Sequence, residues 1–234
     1  MAAKLYLIPN TISENNLATI PAYIKDIVGQ LRYFVVEEER VGRRFLKQLS
    51  PPLPLSECGL FAVNEHSSSK DIKEVLEKIG GNDFGILSDA GCPCVADPGA
   101  DLVLLAHQKG FQVVPLVGPS SILLALMASG LNGQSFAFNG YLPKEKEERV
   151  KKIKLLEKRS FTEKQSQIFM DTPYRNQHVF DDILANCDPK TLLSVATDLT
   201  GTEEDIKTLP VNEWKKRQYS LSKIPALFII QKQA

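Results

Sequence analysis

Ser88-Asp89-Ala90-Gly91-Cys92-Pro93-Cys94-Val95-Ala96-Asp97-Pro98-Gly99 is the stretch on which the reading of this chain turns. It directly follows an apolar strand that ends at Leu87. In open α/β sheets, ligands sit beyond the carboxyl ends of strands. A loop rich in Asp, Gly and Pro lets the backbone approach a ligand closely. By composition alone, the same loop also reads as a long structural turn. Asp97-Pro98-Gly99, followed by Leu102, Leu105 and Ala106, reads as a cap and a helix closed by Gly110. A second stretch repeats the layout: strand Val113–Val117, then Gly118-Pro119-Ser120-Ser121, then a helix over Ile122–Ala128. Hydroxyls and N–H groups at a helix start can bind a carboxylate, although Ser120 taken alone also reads as a helix cap.

Outward from these loops, short apolar runs alternate with helical patterns. The first half offers strands at Leu5–Ile8, Tyr33–Val36 and Gly85–Leu87. Ile72, Val75, Leu76 and Ile79 form an i, i+3, i+4, i+7 stripe, the spacing of a half-buried helix. The second half offers strands near Phe136–Phe138, Ile168–Met170, Leu192–Ala196 and Ala226–Ile230, with helices over Glu147–Lys158 and Asn176–Leu184. Strands alternating with helices imply crossover units and mainly parallel pairing. The expected architecture is two α/β domains, 1–118 and 119–234, with the boundary at Gly118-Pro119.

Composition narrows the class. With 43% apolar and 24% charged residues, disorder is not the default. The 28 basic residues equal the 28 acidic ones, which weighs against a large phosphate-tracking surface but leaves room for a local one. Residues 1–118 hold 11 basic against 14 acidic residues, and residues 119–234 hold 17 against 14. The second half is therefore where an anionic partner is expected. Cys58, Cys92, Cys94 and Cys187 form neither a zinc signature nor a disulfide framework, so no metal is expected. They read as small residues of a reducing compartment, and the expected location is cytoplasmic. Lys4-Leu5-Tyr6-Leu7-Ile8-Pro9 lacks a long apolar core with a cleavage site, so no signal peptide is expected here. The uncharged run Phe111–Pro143 is broken by Gly118-Pro119, Gly130 and Gly133, and no membrane span is expected.

Together, S-D-A-G-x-P, D-P-G and V-V-P-x-x-G-P-S resemble the tetrapyrrole methylase family. More narrowly they resemble its branch that methylates a cytidine ribose 2′-hydroxyl in small-subunit ribosomal RNA. Leu5-Tyr6-Leu7-Ile8-Pro9 is similar to that branch's first strand, and Glu37-Glu38-Glu39-Arg40 sits where it has E-D-T-R. Ser129-Gly130-Leu131 and Gly140-Tyr141-Leu142-Pro143 follow in order, and Thr172-Pro173-Tyr174-Arg175 resembles its S-P-H-R. The similarity spans nearly the whole chain. It implies two α/β domains with an S-adenosylmethionine cleft between them, a homodimer, and a role in rRNA processing. The cofactor contacts carried over are Asp89, Ala90, Gly91, Val95, Ala96 and Asp97 from the first loop, Ser120 and Ser121 from the second, and Met170 and Ala196 around the adenine. Glu37, Glu38 and His66 are the candidate bases for a hydroxyl nucleophile; Glu37–Glu39 also reads as a solvated strand end. Arg40, Arg149 and Arg175 are the candidate substrate contacts.

The chain departs from the branch at several polar motifs. Its I-G-N-L is replaced by Ile12-Ser13-Glu14-Asn15-Asn16-Leu17, and its H-D-H-N-E by Asn64-Glu65-His66-Ser67-Ser68. Its K-S-K-G-R-R becomes Glu145-Lys146-Glu147-Glu148-Arg149-Val150, and its final G-E becomes Ile224-Pro225. Cofactor motifs are kept better than substrate motifs. Methylation of a tetrapyrrole or other small molecule, and a catalytically inactive cofactor-binding relic, therefore stay open beside the RNA reading. A nicotinamide or flavin Rossmann enzyme is disfavoured, because Pro9-Asn10-Thr11 stands where G-x-G-x-x-G would be required. Lys144–Lys164 holds nine basic and five acidic residues, so this helix, with Arg149, is the expected phosphate contact; a solvated helix laced with opposite charges is the alternative.

Overall fold

The computed structural model describes residues 2–49, 54–221 and 223–233. The chain divides into two compact units, Met1–Ser120 and Ser121–Ala234; the sequence places the boundary at Gly118-Pro119.

Unit 1 runs β1 (Lys4–Ile8), a 3-10 turn (Leu17–Thr19), α1 (Tyr23–Val28), β2 (Tyr33–Val36), α2 (Glu39–Leu49), β3 (Gly59–Ala62), α3 (Ser69–Ile79), β4 (Phe84–Leu87), α4 (Ala100–Gln108) and β5 (Gln112–Pro115). Its five strands pair in parallel in the order β3-β2-β4-β1-β5. Parallel neighbours need long crossovers, which the helices supply. Strand alternation sends Leu5, Val35, Phe84 and Ile86 to one face, against α3 and α4. It sends Ile8, Phe34, Val36 and Leu87 to the other, against α1 and α2. Every side chain of β4 is buried, as suits a strand covered on both faces. The stripe of α3 is buried as its spacing requires. Ser68 caps this helix by accepting from the Asp71 N–H, and the Asp71 carboxylate accepts from the Ser68 N–H at 2.7 Å.

Unit 2 runs α5 (Ser121–Ser129), β6 (Phe136–Tyr141), α6 (Lys146–Thr162), β7 (Ser166–Met170), α7 (Asn176–Asn186), β8 (Leu192–Thr197), β9 (Asp205–Pro210), α8 (Val211–Trp214) and β10 (Ala226–Gln231). The strand order is β6-β7-β10-β8-β9. Only β6 and β7 are parallel; β10 runs antiparallel to both of its neighbours, and β9 antiparallel to β8. Mainly parallel pairing, expected from the alternation of strands and helices, therefore holds in unit 1 and does not extend to unit 2. In unit 2 no helix separates β8 from β9, so the chain reverses directly and makes an antiparallel pair. Phe169, Val195, Phe228 and Ile230 face α6, α7 and α8, with the fully buried Trp214. Helix α5 packs on β8, β9 and β10.

Among the described residues, no helix is long and apolar enough to cross a membrane. Strand β5 stops at Pro115, two residues before the expected end. The Val117 N–H is taken by the Tyr23 hydroxyl at 2.9 Å instead of a strand partner.

Candidate active site

The loops after β1, β2, β4 and β5 all leave the carboxyl edge of the unit 1 sheet. The β4 loop is tied down by Asn10, which follows β1 and is 3% exposed. Its backbone exchanges two hydrogen bonds with Gly91, at 2.8 and 3.1 Å. Its amide donates to the carbonyls of Ser88 at 3.1 Å and Asp89 at 3.0 Å. Within the loop, Cys94 and Ala96 hold left-handed backbones, with φ of 67° and 60°. That conformation costs a residue with a Cβ about 1–2 kcal/mol, and such strain persists where surrounding contacts fix it. Here the Asp97 carboxylate fixes the turn by accepting from the Cys94 N–H at 3.3 Å. The expected role of Asp97 as a cap of α4 is corrected accordingly: the carboxylate points back into the loop, and α4 has no side-chain cap.

The β4 and β5 loops touch. The Cys92 thiol donates to the Pro119 carbonyl at 3.4 Å. At Gly118 the backbone lies so close to Pro9 that a Cβ would stand 2.2 Å from the proline Cβ. Gly118→Ala is therefore expected to cost about 1–3 kcal/mol, the usual range for overpacking, and to separate the β1 loop from the β5 loop. Urea unfolding would measure the cost, and full stability would show that the close approach is not tightly packed.

Three carboxylates converge at this edge. Glu37, the first residue after β2, is hydrogen-bonded side chain to side chain with Asp97. Burial, reinforced by Asp97, pushes Glu37 up to about 7. Burial also raises Asp97. Asp89 is raised by burial and then by the charge of Glu37, while its Oδ1 accepts from the Glu38 N–H at 3.2 Å. Among the described residues, no Lys, Arg or His forms an ion pair with any of the three. Neighbouring half-buried carboxyls without an ion-pair partner hold their protons more tightly, which marks a candidate functional site.

The other candidate bases are placed differently. The Glu38 carboxylate accepts from the Arg40 N–H at 3.2 Å, capping the start of α2. The His66 side chain is 86% exposed and is paired with Glu65, at 3.6 Å. Glu65, not His66, is the residue of this loop whose charge acts on Glu37. Sequence reading passed over Glu65, and over Asn10, which it noted only as an obstacle to a Rossmann motif.

Of the cofactor contacts carried over by resemblance, Asp89, Ala90, Gly91, Val95, Ala96, Asp97 and Ser120 lie together in unit 1. Ala90, Val95 and Ala96 are exposed. Ser121 opens α5 in unit 2, where Met170 and Ala196 both flank Leu227 in register across β7, β10 and β8. Of the substrate candidates, Arg40 is exposed on α2. Arg175 pairs with the buried Asp171 and donates to the Leu142 carbonyl at 3.4 Å, ordering the start of α7. Arg149 is corrected outright. It is 5% exposed; its Nε donates to Asp182 at 2.8 Å, and its Nη1 to the Lys144 carbonyl at 2.7 Å. A guanidinium so engaged is not available to RNA. Among the described residues, no group of His, Cys, Asp or Glu is arranged to hold a metal ion.

No family model matches the chain. It is 32% identical over 213 residues to a ribosomal RNA small subunit methyltransferase I of Vibrio cholerae, covering 91% of this chain and 70% of the relative. It is 29% identical over 232 residues to the protein of the same name from Escherichia coli O157:H7, covering 97% and 77%. Among solved structures, it is similar to the methyltransferase CobJ, with a TM-score of 0.65 at 16% identity, covering 100% of this chain and 95% of that one. A diphthine synthase superposes with a TM-score of 0.67 at 12% identity, covering 99% and 91%. The chain belongs to the ribosomal RNA small subunit methyltransferase I family, methyltransferases built on the two-domain fold of the tetrapyrrole methylases.

Proposed function

We propose that this protein transfers a methyl group from S-adenosylmethionine to a ribose 2′-hydroxyl of small-subunit ribosomal RNA. The observation that carries the reading is the carboxylate cluster of Glu37, Asp89 and Asp97, none of which is in an ion pair among the described residues, beside two touching loops at one sheet edge. The names of the relatives supply the RNA.

The cluster fits this cofactor on charge grounds. S-adenosylmethionine carries a sulfonium and an ammonium, and it supplies an activated methyl group. Asp89 and Asp97 would stabilise that positive charge in a partly desolvated site, where electrostatic attraction exceeds its value in water. The exposed Val95 and the backbone of Ala90 and Ala96 would form the wall against the nucleoside. Glu37 would take the proton of the attacking hydroxyl as the O–C bond forms and the C–S bond breaks, the electron pair leaving on sulfur. A carboxyl near 7 is suited to this, because a base works best with a pKa near the operating pH. The loops would contribute alignment by fixing the donor relative to the attacking hydroxyl.

Methyl transfer from labelled cofactor into small ribosomal subunits, purified from a strain lacking this protein, tests the reading. Label is expected in a 2′-O-methylated nucleoside, with S-adenosylhomocysteine bound at about micromolar affinity, roughly −8 kcal/mol. Binding without label in RNA would overturn the assignment of RNA as acceptor. Absence of binding would overturn the cofactor.

A further inference from the structure

Helix α2 buries Gly42, Phe45, Leu46 and Leu49 against the sheet and turns Arg40, Arg43, Arg44 and Lys47 outward. Their spacing of three and four residues stacks them along one side of the helix, over about 10 Å at 1.5 Å per residue. They line an open groove of ≈ 680 Å³, whose carboxylates among the described residues are Glu38 and Glu39, at the start of the helix. Arg44 and Gln48 also line a second, smaller cavity of ≈ 150 Å³, which reaches Thr11, Asn10 and Asp89. The groove thus shares Arg44 and Gln48 with a cavity that Asp89 lines, and the helix starts two residues after Glu37.

The cations are held but not consumed. Arg43 pairs with Glu39, and Arg44 with Glu14 at 3.1 Å, all four side chains being 42–74% exposed. Exposed pairs of this kind contribute only about 0–1 kcal/mol, so a phosphate can replace the carboxylate at little cost. Among the described residues, neither Arg40 nor Lys47 is in an ion pair. Guanidinium groups match phosphate in a bidentate geometry.

We propose that this face of α2 is the surface along which a single strand of the substrate RNA lies, its phosphates paired with Arg40, Arg43, Arg44 and Lys47 as it approaches Asp89 and Glu37. This inference rests on the RNA reading above and moves RNA recognition from α6, where sequence composition put it, to unit 1.

The test compares Arg43→Gln/Arg44→Gln/Lys47→Gln on α2 with Lys151→Gln/Lys154→Gln/Lys158→Gln on α6. Affinity for an unstructured single-stranded RNA oligonucleotide is measured against salt, together with affinity for S-adenosylhomocysteine as a check on folding. The α2 variant is expected to flatten the slope of log affinity against log salt by about 2 units, roughly 0.7 per lost phosphate contact, and to bind about 100-fold more weakly at 0.1 M salt. Its cofactor affinity should be unchanged, and the α6 variant should match the parent. An unchanged slope in the α2 variant, or flattening in the α6 variant alone, would overturn the proposal while leaving RNA methylation standing. Absence of RNA binding by the parent protein, with the cofactor bound normally, would overturn the RNA reading itself and this surface with it.

Discussion

Glu37→Gln is expected to slow methyl transfer by at least about 100-fold, the lower bound for losing a general base, while making the folded protein more stable than the parent at pH 8. Both effects follow from the same burial. In the folded protein Glu37 titrates near 7, above its ordinary value of 4.5, because burial and Asp97 disfavour its charge. A carboxyl raised on folding gives the folded state more bound protons than the unfolded chain. Its contribution is fully present below about 4.5 and is lost as pH rises to about 7, where both states are ionised. Gln cannot ionise and keeps the hydrogen bond to Asp97 within reach, so its stability should not fall across that interval. The rate should move the opposite way. In the parent protein kcat/KM should rise with pH through about 7 as Glu37 loses its proton, then level off. The inflection in kcat should lie lower, since a bound sulfonium favours the carboxylate. A Gln variant with parental rates, or a parent profile flat between pH 6 and 8, would remove Glu37 from the chemistry and leave it a structural partner of Asp97. Measuring urea midpoints of both proteins at pH 5 and pH 8 separates the stability effect from the catalytic one.

The parts of this fold that were legible in the sequence are those whose burial is written in consecutive side chains. β1, β2 and β4 are covered on both faces and read as apolar runs, and so do β8 and β10. The strands that escaped are β3 and β9, each at the edge of its sheet. Gly59-Leu60-Phe61-Ala62 is only four residues long, and Asp205-Ile206-Lys207-Thr208-Leu209-Pro210 carries charge and proline; an edge strand needs to satisfy only one neighbour. The same logic divides the site. The β4 and β5 loops were found because their Gly, Pro and Asp residues are punctuation that a sequence displays. The Glu37–Asp97 pair was not, since the two residues are sixty positions apart and only parallel pairing of β2 with β4 brings their strand ends together. Asn10 gave no signal either, because its role lies in four hydrogen bonds to residues near 90. Charge counting by halves carries no information on burial. It ranked the second half above the first, although burial removes Arg149 from the basic total of α6, whereas α2 displays its cations on one face.

Arg149→Ala is expected to destabilise unit 2 by about 3–5 kcal/mol, the cost of stripping one partner from a buried ion pair. Asp182, whose side chain is 8% exposed, would keep a carboxylate with no cation beside it, and the Lys144 carbonyl would lose its donor. The pair also joins α6 to α7, whose apolar faces meet over Ile153, Leu156, Val179 and Ile183. Loosening it therefore reaches the core of the unit. The effect can be read locally, because Trp214 is the single tryptophan of the chain and lies in that core, its indole N–H donating to the Leu193 carbonyl at 2.9 Å. Tryptophan fluorescence during urea unfolding consequently reports unit 2. The double variant Arg149→Met/Asp182→Leu removes both charges and refills the space; such replacements are often neutral or stabilising. It should recover most of what the single variant loses. An RNA contact would behave otherwise: the single variant would unfold like the parent, the double would be no better than the single, and both would flatten the salt dependence of RNA binding. Recovery in the double variant, with a parental salt slope, would identify Arg149 as the pin that holds α6 on α7.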